Sequence, residues 1–329
     1  MTPAQIDLVE EAKGKALEIL RHNAKGAGTR YGRLFRTAGW AYPEAYTRDM
    51  MLSALGVLVS GDDGLVAALR RVIEALAENR SARGHTPSLA HDPDDRGASD
   101  TTPLFLVGAA LFRRHLGQPD YLHDAVDEAL QWMAYQSPDD RAMVAQLPTT
   151  DWRDEHWVLG YGLYTNALVY AYLRLLGRDD KAEALRKHMN RLDVANTHKS
   201  AHRALVMKDK PYFALWSYKI ERNERFDLLG NSLAILTGLA APARAKRIVH
   251  WLEGECDHLR ERGELAGPLP PCLIPYIQPP DSDWRRRYEE FNPPGAYHNG
   301  GIWPFICGFY VAALVAARRH HRPQPNLEA

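Results

Sequence analysis

The feature that most limits what this chain can fold into is the rhythm of its breaks. Helical apolar periods come in couples, and two kinds of connection alternate between them. Short turns built from Gly or Pro and a capping residue ("VSGDDGL", "HLGQPDYL", "LLGRDDKA", "GLAAPARA") join segments 44–60 to 63–79, 101–116 to 119–135, 157–176 to 179–191 and 226–239 to 241–260. Longer polar, Pro-rich stretches at 80–100, 137–156, 192–224 and 261–299 separate the couples. A tight turn between two helices makes an antiparallel hairpin. Loops as long as the others are uncommon in a compact domain and usually carry function.

Two further helices flank this series. In "QIDLVEEAKGKALEILRHN" the residues Ile6, Leu8, Val9, Ala12, Ala16, Leu17 and Leu20 recur at three- and four-residue steps, the period of one helix face. The stretch 300–319 is helical at the other end, and weaker candidates at 212–220 and 283–291 bring the total close to twelve. Strand-like alternation is almost absent, so the expected class is all-α. In each couple the first helix is the more apolar ("PLFLVGAALF", "LGNSLAILTGL"), and the second carries more charge ("DKAEALRKHMNRL", "RAKRIVHWLEGECDHLRER"). Helices apolar all round are buried, and those with a charged face lie outside. The pattern predicts an (α/α)6 toroid of helical hairpins, inner and outer helices alternating, in one domain over 1–329 with 320–329 as a disordered tail.

Composition narrows the function. Forty-one basic residues balance forty-one acidic ones, which leaves no global field to attract nucleic acid or an anionic membrane. The N-terminus lacks the apolar core of a signal peptide, and no window reaches the roughly 18–20 apolar residues of a membrane span. Three cysteines, Cys256, Cys272 and Cys307, fit a reduced protein better than a disulfide framework. A cytoplasmic location is expected, and homo-oligomerisation stays open. The histidines show no HExxH or paired-Cys spacing. Walker, Rossmann and serine-elbow motifs are missing as well. Neither metal nor cofactor is expected.

Four polar clusters fall where long loops meet inner helices: "AYPEAYTRDMM" with Tyr46, Arg48 and Asp49; "GASDTTPLF" with Asp100; "PTTDWRDEHW" with Asp151, Trp152, Asp154 and Glu155; and "AYHNGGIWP" with His298. Each has an ordinary reading. Asp49 suits a helix dipole, Arg48–Asp49 a local ion pair, and Asp100 an N-cap. "DWRDE" suits a solvated loop over a packed tryptophan, and "HNGG" a tight Asn-Gly turn. Their recurrence at equivalent places favours a common purpose, since a ring would bring all four to one mouth. Indole faces stack on sugar rings, and glycosidic cleavage needs one carboxylic acid and one carboxylate.

At these residues the chain resembles six-hairpin glycosidases, namely the neutral/alkaline invertase family and the glucosidase domain of glycogen-debranching enzymes. "RFDLLGNSLAILTGLAAPARAKRIVHWLE" and "AYHNGGIWPFICGFYVAAL" are the segments most similar to the invertases; "DWRDEHWVLGYGLYTNALVYAYL" resembles the block that carries the general acid. The resemblance runs from about residue 39 to 318. It implies Asp154 as general acid, Arg48, Asp49 and Asp100 as sugar ligands with Tyr46 and Trp152 beside them, and His298, Asn299 and Trp303 as the pocket floor. For the general base it points to a glutamate before tryptophan, where this chain has Asp283 before Trp284. Glu289 and Glu290 are the other candidates, and Asp151 competes with Asp154 for the acid. The implied activity is inverting hydrolysis of a small glucoside such as sucrose or of an α-glucosidic linkage. Amylo-α-1,6-glucosidase-like action, a non-catalytic sugar-binding toroid and a histidine-based sugar epimerase are the rivals.

Overall fold

Two compact units, Met1–Tyr135 and Gln136–Ala329, divide the chain. The computed structural model describes residues 3–26, 28–36, 42–138, 143–191 and 204–319. The tail 320–329 lies outside the described residues, as does the first part of the loop 192–224.

The first unit holds α1 (Pro3–Asn23), the two-residue strands β1 (Gly28–Thr29) and β2 (Gly32–Arg33), and two hairpins, α2 (Thr47–Ser60) with α3 (Asp63–Asn79) and α4 (Thr101–Leu116) with α5 (His123–Tyr135). The "GDDG" turn does what its chemistry announces. Gly61 takes the left-handed conformation at φ 67°, and the Asp62 carboxylate accepts from the Leu65 N–H at 3.0 Å, closing one helix and capping the next. α2 packs on α4. Every residue of α4 from Thr101 to Leu106 is buried, whereas α5 buries only Ala125, Val126, Ala129 and Met133. In this hairpin inner and outer character is as the sequence predicts, whereas α2, expected to be the inner helix, leaves Leu55 and Val59 exposed and α3 is buried along most of its length.

α1 differs from expectation. The helix forms, but Ile6, Leu8 and Val9 are 47, 66 and 45% exposed, so its apolar stripe is not core. Ion pairs one turn apart, Glu10–Lys13 and Lys15–Glu18, add roughly 0.2–0.5 kcal/mol each to such a helix.

The second unit contains β3 (Tyr161–Gly162), α6 (Leu163–Leu175), α7 (Asp179–Met189), β4 (Ala214–Tyr218), β5 (Glu221–Asp227), α8 (Leu228–Leu236), α9 (Pro242–Glu261), β6 (Leu273–Ile274), α10 (Tyr288–Phe291) and α11 (Pro304–Arg319). α6 packs on α8 and α8 on α11, with α7 against α6 and α9 against α8 and α11. Leu228 to Ile235 are all buried in α8, but only Ala182, Leu185 and Met189 in α7. None of the described helices is long and apolar enough to cross a membrane.

Two helical expectations are corrected here. The stretch 212–220 is strand, part of a four-stranded antiparallel sheet in the order β3-β4-β5-β6. Ala214 to Ser217 are buried on both faces, so the run shows none of the alternation that marks a half-exposed strand. The stretch 283–291 contributes only the single turn of α10.

Three buried asparagines tie the second unit together in the same way. The Asn166 side chain accepts from the Val144 N–H at 2.8 Å and donates to the carbonyls of Val144 and Gly162. Asn231 does this to Phe213 and Asp227, and Asn299 to Ile277 and Asn292. All three are fully buried. A primary amide matches both polar groups of one residue at once, so each helix or turn grips a loop segment 18 or 22 positions earlier in the chain.

Removing such a clamp strands two buried backbone groups, each worth about 1–3 kcal/mol. Asn231→Ala is therefore expected to lower unfolding free energy by about 3 kcal/mol in urea titration. A loss under about 1 kcal/mol would refute the clamp.

Candidate active site

The loop that carries "DWRDE" is closed before it reaches its tip. The Gln146 and Gly160 backbones bond each other in both directions at 2.8 and 2.9 Å. The Gln146 side chain donates to Asp151 at 3.0 Å and accepts from the Thr165 hydroxyl at 2.6 Å. Asp151 in turn accepts from the Arg153 backbone N–H at 2.8 Å, an Asx-type turn.

That turn sends the Arg153 side chain inward. It is 1% exposed and sits between two carboxylates, Asp151 at 2.8 Å and Asp227 at 3.2 Å, which are 1% and 0% exposed. Burial alone would raise the Asp151 carboxyl, but the Arg153 charge and the bonds from Arg153 and Gln146 outweigh it and hold it at about 2. Burial raises Asp227 above the usual carboxylate range, against the pull of Arg153. Burial would lower Arg153; the two carboxylates push it up instead. A buried charge survives only when paired in this way.

The next residue points the other way. The Asp154 side chain is 62% exposed, and its carboxylate lies 3.9 Å from Nδ1 of the buried His298. His298 stacks against both Tyr297 and Trp303, with ring centroids at 4.0 and 5.6 Å, and those two rings also meet each other at 5.2 Å. Trp152 presents its edge to His298, Trp303 and Phe305 at 5.2–5.9 Å. The structure thus brings together Asp154, Trp152, His298 and Trp303. Trp152 is 5% exposed, so it walls the site, while the exposed aromatic surface belongs to Tyr297 and Trp157 at 43 and 44%.

The "HNGG" turn is shaped by its glycines. Gly300 has φ 104°, and a Cβ there would stand 2.3 Å from the Tyr276 ring. A Cβ on Gly301 would stand 2.5 Å from the Tyr297 carbonyl. Only glycine fits. The Trp303 indole N–H donates to that same carbonyl at 2.9 Å. Asn299, expected in the pocket floor, is fully buried, and its amide clamps Ile277 and Asn292.

Asp283 is half-buried and firmly held. It accepts from Asn223 at 2.7 Å and pairs with Arg225 at 2.5 Å, and Arg225 also reaches Asp281 at 2.6 Å. Glu289 and Glu290 are exposed on α10. The basic run before them meets the end of the "DWRDEHW" loop: Arg287 pairs with Glu155, Arg285 lies 5.1 Å over the Trp157 ring, and the Tyr288 hydroxyl accepts from the Trp157 N–H at 3.1 Å. Sequence reasoning missed Arg153, Asp227, Asn223 and Arg225. The charged pattern of "ERNERFD" was the one signal available.

In the first unit, Asp100 stands at the N-cap position of α4 but makes no side-chain cap. Its fully buried carboxylate instead takes two bonds from Arg48, at 2.6 and 3.0 Å. This pair reaches across 52 residues. Asp49 and Tyr46 are partly buried at the start of α2. No group of three His, Cys, Asp or Glu among the described residues is placed to hold a metal. Two surface concavities, of about 580 and 490 Å³, lie along α9 around Trp251 and beside β1 with His91, and neither includes Asp154 or His298.

His156 carries a pH signature. It is 1% exposed, with Nε2 lacking a partner. Burial, then Arg153, then His298 drive it well below 6.5. Its neutral form is the folded one, so the stability it permits is complete above pH 6.5 and is lost as pH falls below that value. The slope is up to about 1.4 kcal/mol per pH unit. His156→Gln should flatten the fall in Tm between about pH 6.5 and 5; an unchanged slope would mean that the ring is not held neutral.

Known proteins were compared against this geometry. Residues 178–328 match the family model described as alkaline and neutral invertase. That stretch includes Asp283, His298, Asn299 and Trp303 but not Asp154. Cytosolic invertase 1 of Oryza sativa subsp. japonica is 32% identical over 97 residues, 29% of this chain and 16% of the rice protein. Probable alkaline/neutral invertase D of Arabidopsis thaliana is 32% identical over 98 residues, 29% of this chain and 17% of its own length. The matched stretch therefore spans a small part of those curated relatives. Among solved structures, the GH63 mannosylglycerate hydrolase from Thermus thermophilus in complex with glucose superposes with a TM-score of 0.62 at 13% identity, covering 94% of this chain and 88% of that one. The same enzyme with Tris and D-glycerate gives 0.57 at 14% identity, covering 93% and 89%. The chain has the (α/α)6 toroid fold of six-hairpin glycosidases, and over residues 178–328 it resembles the alkaline and neutral invertases.

Proposed function

We propose that this protein is a glycoside hydrolase that cleaves a small glucoside, such as sucrose, or an α-glucosidic linkage with inversion. One observation carries the reading. Of the three carboxylates in "DWRDE", Asp151 is locked on Arg153 and Glu155 on Arg287, which leaves Asp154 as the exposed one, against an aromatic and histidine wall. Asp151, held at about 2, has no proton to give near neutral pH. Asp154 is the general acid, protonating the glycosidic oxygen as the C–O bond breaks. Asp283 is the base, taking a proton from the water that attacks the anomeric carbon. In the first unit, Arg48, Asp49 and Tyr46 are assigned to sugar hydroxyls, with the buried Asp100 holding Arg48 in place. We read the chain as one catalytic domain. Its three free, buried cysteines suit a reducing, cytoplasmic setting.

A second reading, a toroid that binds sugar without cleaving it, draws support from the grip of Arg225 and Asn223 on Asp283. The experiment that separates the two is hydrolysis of sucrose, trehalose, maltose, isomaltose and glucosylglycerate, with the product anomer followed by NMR. Turnover is expected with inverted anomer. Asp154→Asn and Asp283→Asn should each reduce kcat by at least about 10³-fold while the fold is kept. Unchanged turnover in Asp154→Asn removes the acid assignment. Sugar binding without release by the native protein decides for the second reading.

A further inference from the structure

The acid loop and the His298 turn are 144 positions apart, yet both are fastened to one rung of the sheet. Asp227 ends β5, where it pairs with Leu273 of β6. The Leu228 N–H donates to the Cys272 carbonyl at 3.1 Å, and the Cys272 N–H donates to the Gly301 carbonyl at 3.0 Å. The Cys272 thiol also reaches the His298 carbonyl at 3.4 Å. The His298 turn is thus bound to this rung through backbone bonds. The acid loop is bound to it through a side chain, by the ion pair of Arg153 with Asp227 at 3.2 Å.

We propose that Arg153 and Asp227 are a positioning pair: their ion pair sets Asp154 against His298 and so fixes the acid for proton transfer. The proposal rests on the glycosidase reading given above. Its physical basis is chain continuity: Asp154 directly follows a residue that two buried carboxylates fix in the interior. With Arg153 drawn inward to two buried carboxylates, the following residue is turned outward, and Asp154 is the exposed one. Arg153 touches no part of the exposed surface, being 1% accessible, so it acts through the loop. A displacement of about 1 Å at a reacting group can lower a rate roughly a hundredfold.

Deleting Arg153 alone would strand two buried acids and unfold the protein. The test therefore neutralises the whole cluster, combining Arg153→Met with Asp151→Asn and Asp227→Asn. A neutral cluster of similar volume is often tolerated. The expected result is a folded protein whose kcat is down roughly tenfold to a hundredfold with KM within about threefold, and whose basic limb in the kcat–pH profile is shifted. Native kcat and an unmoved limb in that folded variant would overturn the proposal.

Should the triple variant fail to fold, Arg153→Lys keeps the charge but loses the two-pronged reach, and it should show the same split between kcat and KM. Native kcat in Arg153→Lys would equally overturn the proposal. An activity-independent readout accompanies both. The His298 ring resonance should respond to Asp154→Asn in the native background and lose most of that response when the pair is altered; an equal response in both backgrounds rejects the pair. Full activity in Asp154→Asn overturns the acid assignment and this proposal together, and absence of turnover by the native protein on every sugar overturns the glycosidase reading. Loss in Asp154→Asn with an unimpaired triple variant overturns only the role of the pair.

Discussion

A guanidinium with almost no water around it, held between Asp151 and Asp227, is the constraint on which the second unit's site depends. One positive and two negative formal charges are buried there, and burial pushes the Asp227 carboxyl up toward its neutral form. Taking Arg153 away leaves two buried acids without compensation, so the cluster depends on its guanidinium. Its formation decides the course of the loop around it. The carboxylate before Arg153 becomes an internal anchor, the carboxylate after it becomes surface, and the two can no longer exchange roles. The difference between buried Asp151 and exposed Asp154 is thus an electrostatic outcome rather than a matter of spacing.

The outer architecture was legible because hairpins announce their ends. Gly61 with Asp62, and Asp179 at the start of α7, are local signals whose chemistry acts within one turn of helix. The inner or outer character of α4, α5, α7 and α8 could likewise be read from which helix carried charge. The sheet was hidden for the converse reason. Ala214 to Ser217 are buried on both faces, and a run without exposed positions has no period to read. The amphipathic stripe of α1 misled in the other direction, since periodicity shows which face would be buried but not whether anything covers it.

The site was half legible. Asp154, Trp152, His298 and Trp303 lie together as their clusters suggested. What stayed hidden are partnerships over long stretches of chain: Arg48 with Asp100, Arg153 with Asp227, and Arg225 with Asp283. Arginine in a single sequence carries no mark of its partner. Asn299 shows the same limit from the opposite side. Its place in a glycine turn looked like ligand chemistry, and its geometry is that of a backbone clamp.

The three asparagine clamps also bear on how the second unit comes into being. Each bond closes a loop of only 18 or 22 residues. The entropy of closing a loop grows slowly with length, so these are the inexpensive closures of the fold. Contacts local in sequence also form fast. A chain emerging from the ribosome can therefore fasten Asn166 to Val144 before Phe213 has been made, then Asn231 to Phe213, then Asn299 to Ile277. The order of synthesis and the order of closure coincide, and no clamp must wait for a distant segment.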